Sequence, residues 1–132
     1  MQDIFSFVDL ETSSSEDRQS REKRRTQLFK GVAELGLLRI LRGGAEYGLR
    51  ILDRLRSDAG LEVAEGTLYP LLYRLEKNGL IAAEWRLLDD VAHPRKYYVL
   101  TEAGAVELKK QTDEWLAMSD KLRAFLIGGD EG

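Results

Sequence analysis

The sequence has no cysteine and a single histidine, His93, among its 132 residues. The lack of cysteine excludes disulfide bonds, thiolate metal sites and cysteine nucleophiles, and one histidine is too few for a histidine-based metal cage. No apolar run approaches the roughly 18 residues that a membrane span needs. The amino terminus carries acidic residues and lacks the basic stretch of a signal peptide. We therefore expect a soluble, cytoplasmic protein with no metal site, no cofactor and no membrane association.

Patterns typical of a catalytic site are also missing. The sequence shows no nucleophile paired with a base, no paired-metal spacing and no glycine-rich loop that would cradle a phosphate. The adjacent Gly43 and Gly44 follow a helical pattern and are better explained as a helix stop. We expect that the protein is not an enzyme.

Charge is distributed unevenly along the chain. The net charge is −3 and the hydrophobic fraction is 43%, which suits one packed domain with extensions. Residues 18–30 contain six cations and one anion, whereas residues 101–132 contain four cations and seven anions. An overall acidic chain with a local basic segment is compatible with a protein that binds nucleic acid through one face.

Apolar residues recur at three- and four-residue steps in the first half of the chain, which predicts helices. A first helix is expected from near Ser20 to Leu41 and a second from Ala45 to about Ala59. The second helix is expected to bury Leu49, Leu52 and Leu55.

A third helix is expected to begin near Thr67, whose hydroxyl can cap backbone N–H groups, and to close at Asn78-Gly79. Two strands follow, Leu80–Leu88 with Trp85 in its core-facing pattern, and Lys96–Leu100. Since Tyr97 and Tyr98 alternate across the second strand, one of them is expected in the core. A helix that leads into a two-stranded ribbon, here called the wing, is typical of a winged helix-turn-helix.

The predicted fold class is therefore mainly α with a small β-hairpin, a winged helix-turn-helix followed by a long carboxy-terminal helix. We expect a flexible arm over residues 1–19, the winged helix-turn-helix over 20–100, the carboxy-terminal helix over 101–127 and a disordered tail over 128–132. Phe5 and Phe7 leave two readings open for the arm, a frayed tail or a segment that docks on a partner subunit.

The carboxy-terminal helix carries a heptad pattern interrupted by Gln111. We call positions 108, 111, 115, 118, 122 and 125 the heptad face. A second copy of the chain is the simplest cover for such a face, so the helix predicts a homodimer. The expected dimer residues, from the first and last helices, are Leu28, Val32, Leu35, Leu108, Trp115, Met118, Leu122 and Phe125.

Several short motifs resemble the PadR family of bacterial transcriptional regulators. They are Glu65-Gly66-Thr67-Leu68-Tyr69-Pro70-Leu71-Leu72, Arg74-Leu75-Glu76, Pro94-Arg95-Lys96-Tyr97-Tyr98, Leu100-Thr101-Glu102-Ala103-Gly104 and Glu46-Tyr47-Gly48. The chain departs from the family at Ala92-His93, where Gly-Arg is usual. The single carboxy-terminal helix is similar to the family's shorter branch.

The resemblance implies a homodimeric repressor that binds double-stranded DNA at a pseudo-palindromic operator of its own or a neighbouring operon. Release of DNA by a small aromatic effector is also implied, and Trp115 and Met118 would line its site at the dimer interface. The alternative for Trp115 is an ordinary place in a dimer core.

Residues of the third helix and the wing are the candidates for DNA contact. The predicted set is Tyr47, Thr67, Tyr69, Tyr73, Arg74, Lys77, His93, Arg95 and Lys96. Three roles are open for Arg74: it hydrogen-bonds to a guanine base, it binds a DNA phosphate, or it forms a salt bridge with Glu65 or Glu76. Tyr69 and Tyr73 either contact DNA or stack on neighbouring side chains.

A second hypothesis is a winged-helix adaptor that binds proteins and has lost DNA binding. The basic, hydroxyl-rich surface formed by Thr67, Tyr69, Arg74, Arg95 and Lys96 favours the DNA-binding hypothesis, because an adaptor has no need of it.

Overall fold

A computed structural model describes residues 15–87 and 93–128, without the side chains of Glu22 and residues 25–30. The expectations for Phe5 and Phe7, for Leu88 and Ala92, for the side chain of Leu28 and for the last four residues lie outside this described part. The chain divides into residues 1–32 and residues 33–132. The described part of the first unit is helical, and the second unit contains the remaining helices and the sheet.

The described residues form four helices and a small sheet, which confirms the predicted fold class. The helices are α1 (Ser15–Arg42), α2 (Gly48–Ala59), α3 (Glu65–Lys77) and α4 (Glu102–Gly128). The strands are β1 (Glu46–Tyr47), β2 (Ile81–Arg86) and β3 (Arg95–Leu100), in the order β1-β3-β2, and both pairings are antiparallel.

The core of the second unit is made of aliphatic side chains from α1, α2, α3 and β2. Removal of this apolar surface from water is the main term that favours folding. The largest fully buried side chains are Leu37, Leu38, Ile51, Leu55, Leu68, Leu72, Leu75 and Ile81.

The end of α3 and the start of α4 are joined by backbone and hydroxyl hydrogen bonds. Gly79 adopts a left-handed φ of 76°, as predicted, and the N–H of Leu80 donates to the carbonyl of Leu75 at 3.0 Å. The Thr101 hydroxyl donates to the Gly79 carbonyl at 2.6 Å and accepts from the Gly104 N–H at 3.0 Å. The Cβ of any other residue at position 104 would clash with the Leu80 carbonyl oxygen. Thr101 therefore caps α4 and fixes its first turn against the end of α3.

Three predicted helix boundaries were wrong. Helix α1 begins at Ser15, so residues 15–19 are helical and do not belong to a flexible arm. Helix α2 begins at Gly48, because Glu46 and Tyr47 pair with β3 as a short strand. Helix α3 begins at Glu65 with Ala64 as its N-cap, so Thr67 lies inside the first turn and is not the cap.

Predicted burial was also wrong at two positions and incomplete at a third. Leu49 is 53% exposed because α2 buries the face that carries Ile51 and Leu55. Trp85 is 70% exposed because β2 extends beyond the core after Ala83. Tyr97 and Tyr98 are both buried, on opposite faces of β3, where one core tyrosine was expected.

Candidate nucleic-acid interface

Helix α3 buries one side against the core and exposes the other. Its buried residues are Leu68, Leu71, Leu72 and Leu75. At about 100° per residue, the middle of the exposed face is formed by Gly66, Pro70, Tyr73 and Lys77. Thr67 and Arg74 lie on one flank of this face, and Tyr69 lies on the other. Every α3 residue predicted to contact DNA is thus on the exposed side of the helix.

Tyr69 packs against the first residue of α2. A Cβ atom at Gly48 would lie 2.9 Å from the Tyr69 hydroxyl oxygen and 3.0 Å from its Cε1 atom. The ring therefore needs glycine at position 48 and helps to set the angle between α2 and α3. Tyr69 remains 44% exposed, so stacking on the neighbour leaves part of its surface for a ligand.

Arg74 pairs with a residue far away in the sequence. Its Nη2 atom lies 2.7 Å from Oε1 of Glu34 on α1. The predicted partners Glu65 and Glu76 were wrong. The Arg74 side chain is nevertheless more than half exposed, and Lys77 and Tyr73 are exposed beside it.

Lys96 joins the wing to α3. Its Nζ atom lies 3.7 Å from Oε1 of Glu76 and 5.5 Å from the centre of the Tyr98 ring. Burial raises the pKa of Tyr98, and the nearby Lys96 charge acts in the opposite direction. The Tyr98 hydroxyl therefore stays neutral at physiological pH. The contacts of Lys96 with Glu76 and Tyr98 show that it contributes to the packing of the wing as well as to its charge.

On the other face of the wing, two tyrosine rings lie between two arginines, in an arrangement that we call the aromatic stack. The guanidinium carbon of Arg95 lies 4.5 Å from the centre of the Tyr47 ring. Tyr47 meets Tyr97 edge to face, with ring centres 5.5 Å apart, and the Arg86 guanidinium lies 5.3 Å from the centre of Tyr97. Cation–π contacts of this kind restrict the arginines without neutralising them.

Arg86 is a candidate that the sequence reasoning missed. It is the register partner of Arg95, so both cations lie on the same face of the ribbon. Its guanidinium also forms a salt bridge with Oε2 of Glu84, at 2.7 Å from Nη2 and 3.1 Å from Nε, and this pair offsets part of its charge. Two like charges directly opposite each other destabilise a strand pair, but the register that brings them together is seen only in the structure, so the sequence carried no clear signal for Arg86. His93 is exposed and precedes Arg95 by two residues in the chain.

Helix α4 leaves most of the heptad face uncovered. Trp115, Met118, Leu122 and Phe125 are all exposed, together with Leu116, Leu126 and Ile127, which were not predicted. Leu108 differs because it is only 3% exposed and is buried by its own chain, so it offers little surface to a partner. Val32 and Leu35 on α1 are half-buried. A membrane-crossing helix was not found: none in the described ranges 15–87 and 93–128 has the necessary length and apolar character.

Comparisons with known proteins agree with the motifs and the fold. The sequence profile of the family described as "Transcriptional regulator PadR-like family" matches residues 37–110. A solved PadR family transcriptional regulator from Eggerthella lenta is 30% identical, with a TM-score of 0.73, over 86% of this chain and 98% of that one.

Two further relatives support the same assignment. A PadR-like transcriptional regulator from Bacillus cereus is 31% identical, with a TM-score of 0.70, over 76% of this chain and 97% of that one. The transcriptional regulator Rv3488 of Mycobacterium tuberculosis is 41% identical over 69 residues, which cover 52% of this chain and 60% of that protein. The chain therefore belongs to the PadR-like family of transcriptional regulators.

Proposed function

We propose that the protein is a cytoplasmic, homodimeric, sequence-specific DNA-binding regulator that represses its own or a neighbouring operon. The proposal rests on two features that occur together: α3 has an exposed face, and the wing carries two cations, Arg86 and Arg95. Both cations lie against tyrosine rings, which restrict their positions. A protein that acts in this way works by binding and not by catalysis.

Helix α3 is the recognition helix in this account. Its exposed face enters the major groove, and its amino-terminal residues lie closest to the base edges. Thr67 and Tyr69 are in the first half of the helix and supply hydroxyl groups, while Tyr73 and Lys77 are farther along. Gly66 adds no side chain, so the helix backbone approaches the DNA closely there.

The wing binds the DNA backbone beside the major-groove site. Arg95, Arg86 and Lys96 bring positive charge, and the exposed His93 precedes Arg95 by two residues in the chain. The aromatic stack supports this role because it restricts two arginines in advance, which lowers the entropy lost when they bind phosphate. Tyr47 then acts through Arg95 as well as by any phosphate contact of its own.

Helix α4 pairs with its copy to form the dimer. The exposed residues Trp115, Met118, Leu122 and Phe125 repeat with heptad spacing, and a contiguous apolar face of this kind is unstable in water. Two recognition helices on one face would read half-sites about 34–36 Å apart, or a multiple of this distance. An operator with approximate twofold symmetry follows from this arrangement.

A small planar effector that binds at the dimer interface is a further part of the proposal. Trp115 and Met118 would lie beside the partner helix and offer an aromatic and a polarizable surface for stacking. Because Trp85 is exposed and would contribute its own emission, the effector screen needs the Trp85→Phe protein. Saturable quenching of Trp115 by a planar aromatic compound, with loss of DNA binding, supports the effector. Quenching by no compound tested argues for an ordinary dimer core.

Selection from a pool of random duplexes tests the main proposal without knowledge of the operator. The purified protein is used to enrich duplexes over several rounds, and the enriched sequences are compared. We expect a pseudo-palindrome with half-sites about one helical turn apart. Failure to enrich any sequence contradicts the proposal and favours the winged-helix adaptor.

A further inference from the structure

One carboxylate on α1 joins the recognition helix to the dimerisation helix. Oε1 of Glu34 accepts a hydrogen bond from Nη2 of Arg74 on α3 at 2.7 Å. Oε2 of the same carboxylate accepts from Nε2 of Gln111 on α4 at 2.9 Å. The Glu34 side chain is only 21% exposed, so both contacts are partly shielded from water. We call these three residues the Glu34 junction.

Gln111 lies at the point on α4 beyond which the heptad face is no longer covered by the rest of the chain. Its Nε2 group also donates to Oε1 of Glu107 at 3.0 Å, so both amide hydrogens are directed at carboxylates. Leu108, one turn earlier on the heptad face, is buried, whereas Trp115, one turn later, is exposed. A polar residue at this heptad position makes a helix dimer less stable than an apolar residue would. Its contact with Glu34 gives a reason for its presence.

Arg74 is poorly suited to read bases from its position. It lies in the second half of α3, whereas base contacts come mainly from the amino-terminal residues of a recognition helix. Its guanidinium is directed towards α1 by Glu34. A charge-assisted hydrogen bond of this length restrains the helix more strongly than a neutral one. The position of Arg74 therefore suits a salt bridge that holds α3 against α1 better than a contact with DNA.

We propose that Glu34 is a positioning residue that couples the placement of α4 to the angle of the recognition helix. The inference rests on the proposed DNA-binding function and deepens it, because it names the link between the dimer interface and the DNA-binding face. A shift of α4 moves Gln111, which alters the carboxylate that holds Arg74. The coupling is reciprocal by thermodynamic linkage, so DNA binding must also alter the surroundings of α4.

Trp115 reports on this coupling from within α4. It lies four residues after Gln111, so both side chains are on the same side of the helix, one turn apart. In the Trp85→Phe protein, Trp115 is the remaining tryptophan. We expect its emission to change when operator DNA binds. A residue with only a structural role in α1 would not transmit such a change.

Glu34→Gln is the informative variant, and Asp113→Asn is its control. Both remove one negative charge with little change of shape, but Asp113 forms an exposed pair with Lys109, and the Glu34 carboxylate is bound by Arg74 and Gln111 instead. In the Trp85→Phe background, each variant is titrated with operator and with unrelated duplex while Trp115 emission is recorded. Thermal unfolding of each variant checks that the fold is intact.

We expect Asp113→Asn to keep the emission change and the ratio of operator to unrelated affinity. We expect Glu34→Gln to lower that ratio about two- to fivefold, the range for a partly exposed ion pair, and to reduce the emission change by at least half. If Glu34→Gln does not fold, Gln111→Leu tests the same link, because it removes the amide and leaves the Arg74 pair. It should likewise reduce the Trp115 response.

The results that overturn the inference differ from those that overturn the proposed function. A Glu34→Gln protein with the same affinity ratio and the same emission change as Asp113→Asn contradicts a positioning role. The absence of any Trp115 response to operator in the Trp85→Phe protein contradicts the coupling. A Trp85→Phe protein that binds no duplex selectively contradicts DNA-binding regulation itself, and the inference with it.

Discussion

Arg95 rests on the face of Tyr47, with 4.5 Å between the guanidinium carbon and the ring centre. The two residues are brought together by the short strand β1, in which Tyr47 pairs in register with Tyr97 of β3. Arg95 lies two residues before Tyr97 and therefore on the same face of the strand. The two-residue strand β1 thus places the Tyr47 ring where it restricts the position of the Arg95 guanidinium.

Substitution of Tyr47 should weaken DNA binding even if its hydroxyl touches no phosphate. Tyr47→Ala removes the ring beneath Arg95, and an exposed cation–π contact contributes about 0.5–1 kcal/mol, so we expect a two- to fivefold loss of affinity. Tyr47→Phe keeps the ring and should retain most of the affinity. Fluorescence anisotropy with labelled operator measures both. Equal losses in the two variants would show that the hydroxyl, and not the ring, is the important group.

Two glycine substitutions should separate folding from DNA binding. Gly104→Ala forces a methyl group against the Leu80 carbonyl, and we expect it to destabilise the fold by about 1–3 kcal/mol. Gly66→Ala meets no atom within 4 Å of the new Cβ and should stabilise α3 by up to about 1 kcal/mol, but its methyl group would intervene between α3 and the major groove. Urea unfolding and operator affinity are measured for both. Full operator affinity in Gly66→Ala would argue against a close approach of α3 to DNA at this residue.

Removal of the Lys96 charge should weaken binding to every duplex. Each phosphate contact that is lost lowers the slope of log affinity against log salt by about one unit, and Lys96→Gln should show this change for each protomer. Lys109→Gln removes the same charge from an exposed position on α4 and serves as the control, since Lys109 pairs with Asp113 of the same helix and not with a residue of the wing. Titrations at several salt concentrations give both slopes. Identical slopes for the two variants would exclude Lys96 from the interface.

An acidic residue on the heptad face should disrupt the dimer. Leu122 and Leu116 are similarly exposed, at 52% and 49%, but lie about 120° apart around α4. Leu122→Asp should weaken dimerisation about tenfold or more, because burial of leucine contributes about 1.5–3 kcal/mol, whereas Leu116→Asp should have little effect. Sedimentation equilibrium measures both constants. Equal effects of the two substitutions would mean that the partner covers a different face.

The sequence predicted the elements that depend on local patterns. The 3.6-residue periodicity located the helices, and Gly79 was correctly predicted as a left-handed residue that ends α3. The predicted Thr101 cap was also confirmed, because its hydroxyl accepts a hydrogen bond from the Gly104 N–H. Threonine is a favoured residue at a helix N-cap. The same rule was wrong for Thr67, since α3 begins two residues earlier and its N-cap is an alanine.

The errors concern features that a local pattern cannot contain. Trp85 follows the alternation of β2 yet is exposed, because the alternation does not tell where the core ends. The Arg74 partner lies 40 residues away, at Glu34, and only tertiary packing brings the two together. Arg86 was overlooked because its pairing with Arg95 depends on the register of a hairpin whose loop length does not fix it.

Sequence-specific binding is measured by the affinity of the wild-type protein for its selected operator, relative to that for an unrelated duplex of equal length. A titration at physiological salt, repeated at a higher salt concentration, gives both affinities. We expect one dimer per operator and a preference of at least about 10³, the lower end for specific DNA-binding proteins, that persists at the higher salt. Equal affinity for the two duplexes, lost together as salt rises, would contradict sequence-specific binding by α3 and the wing.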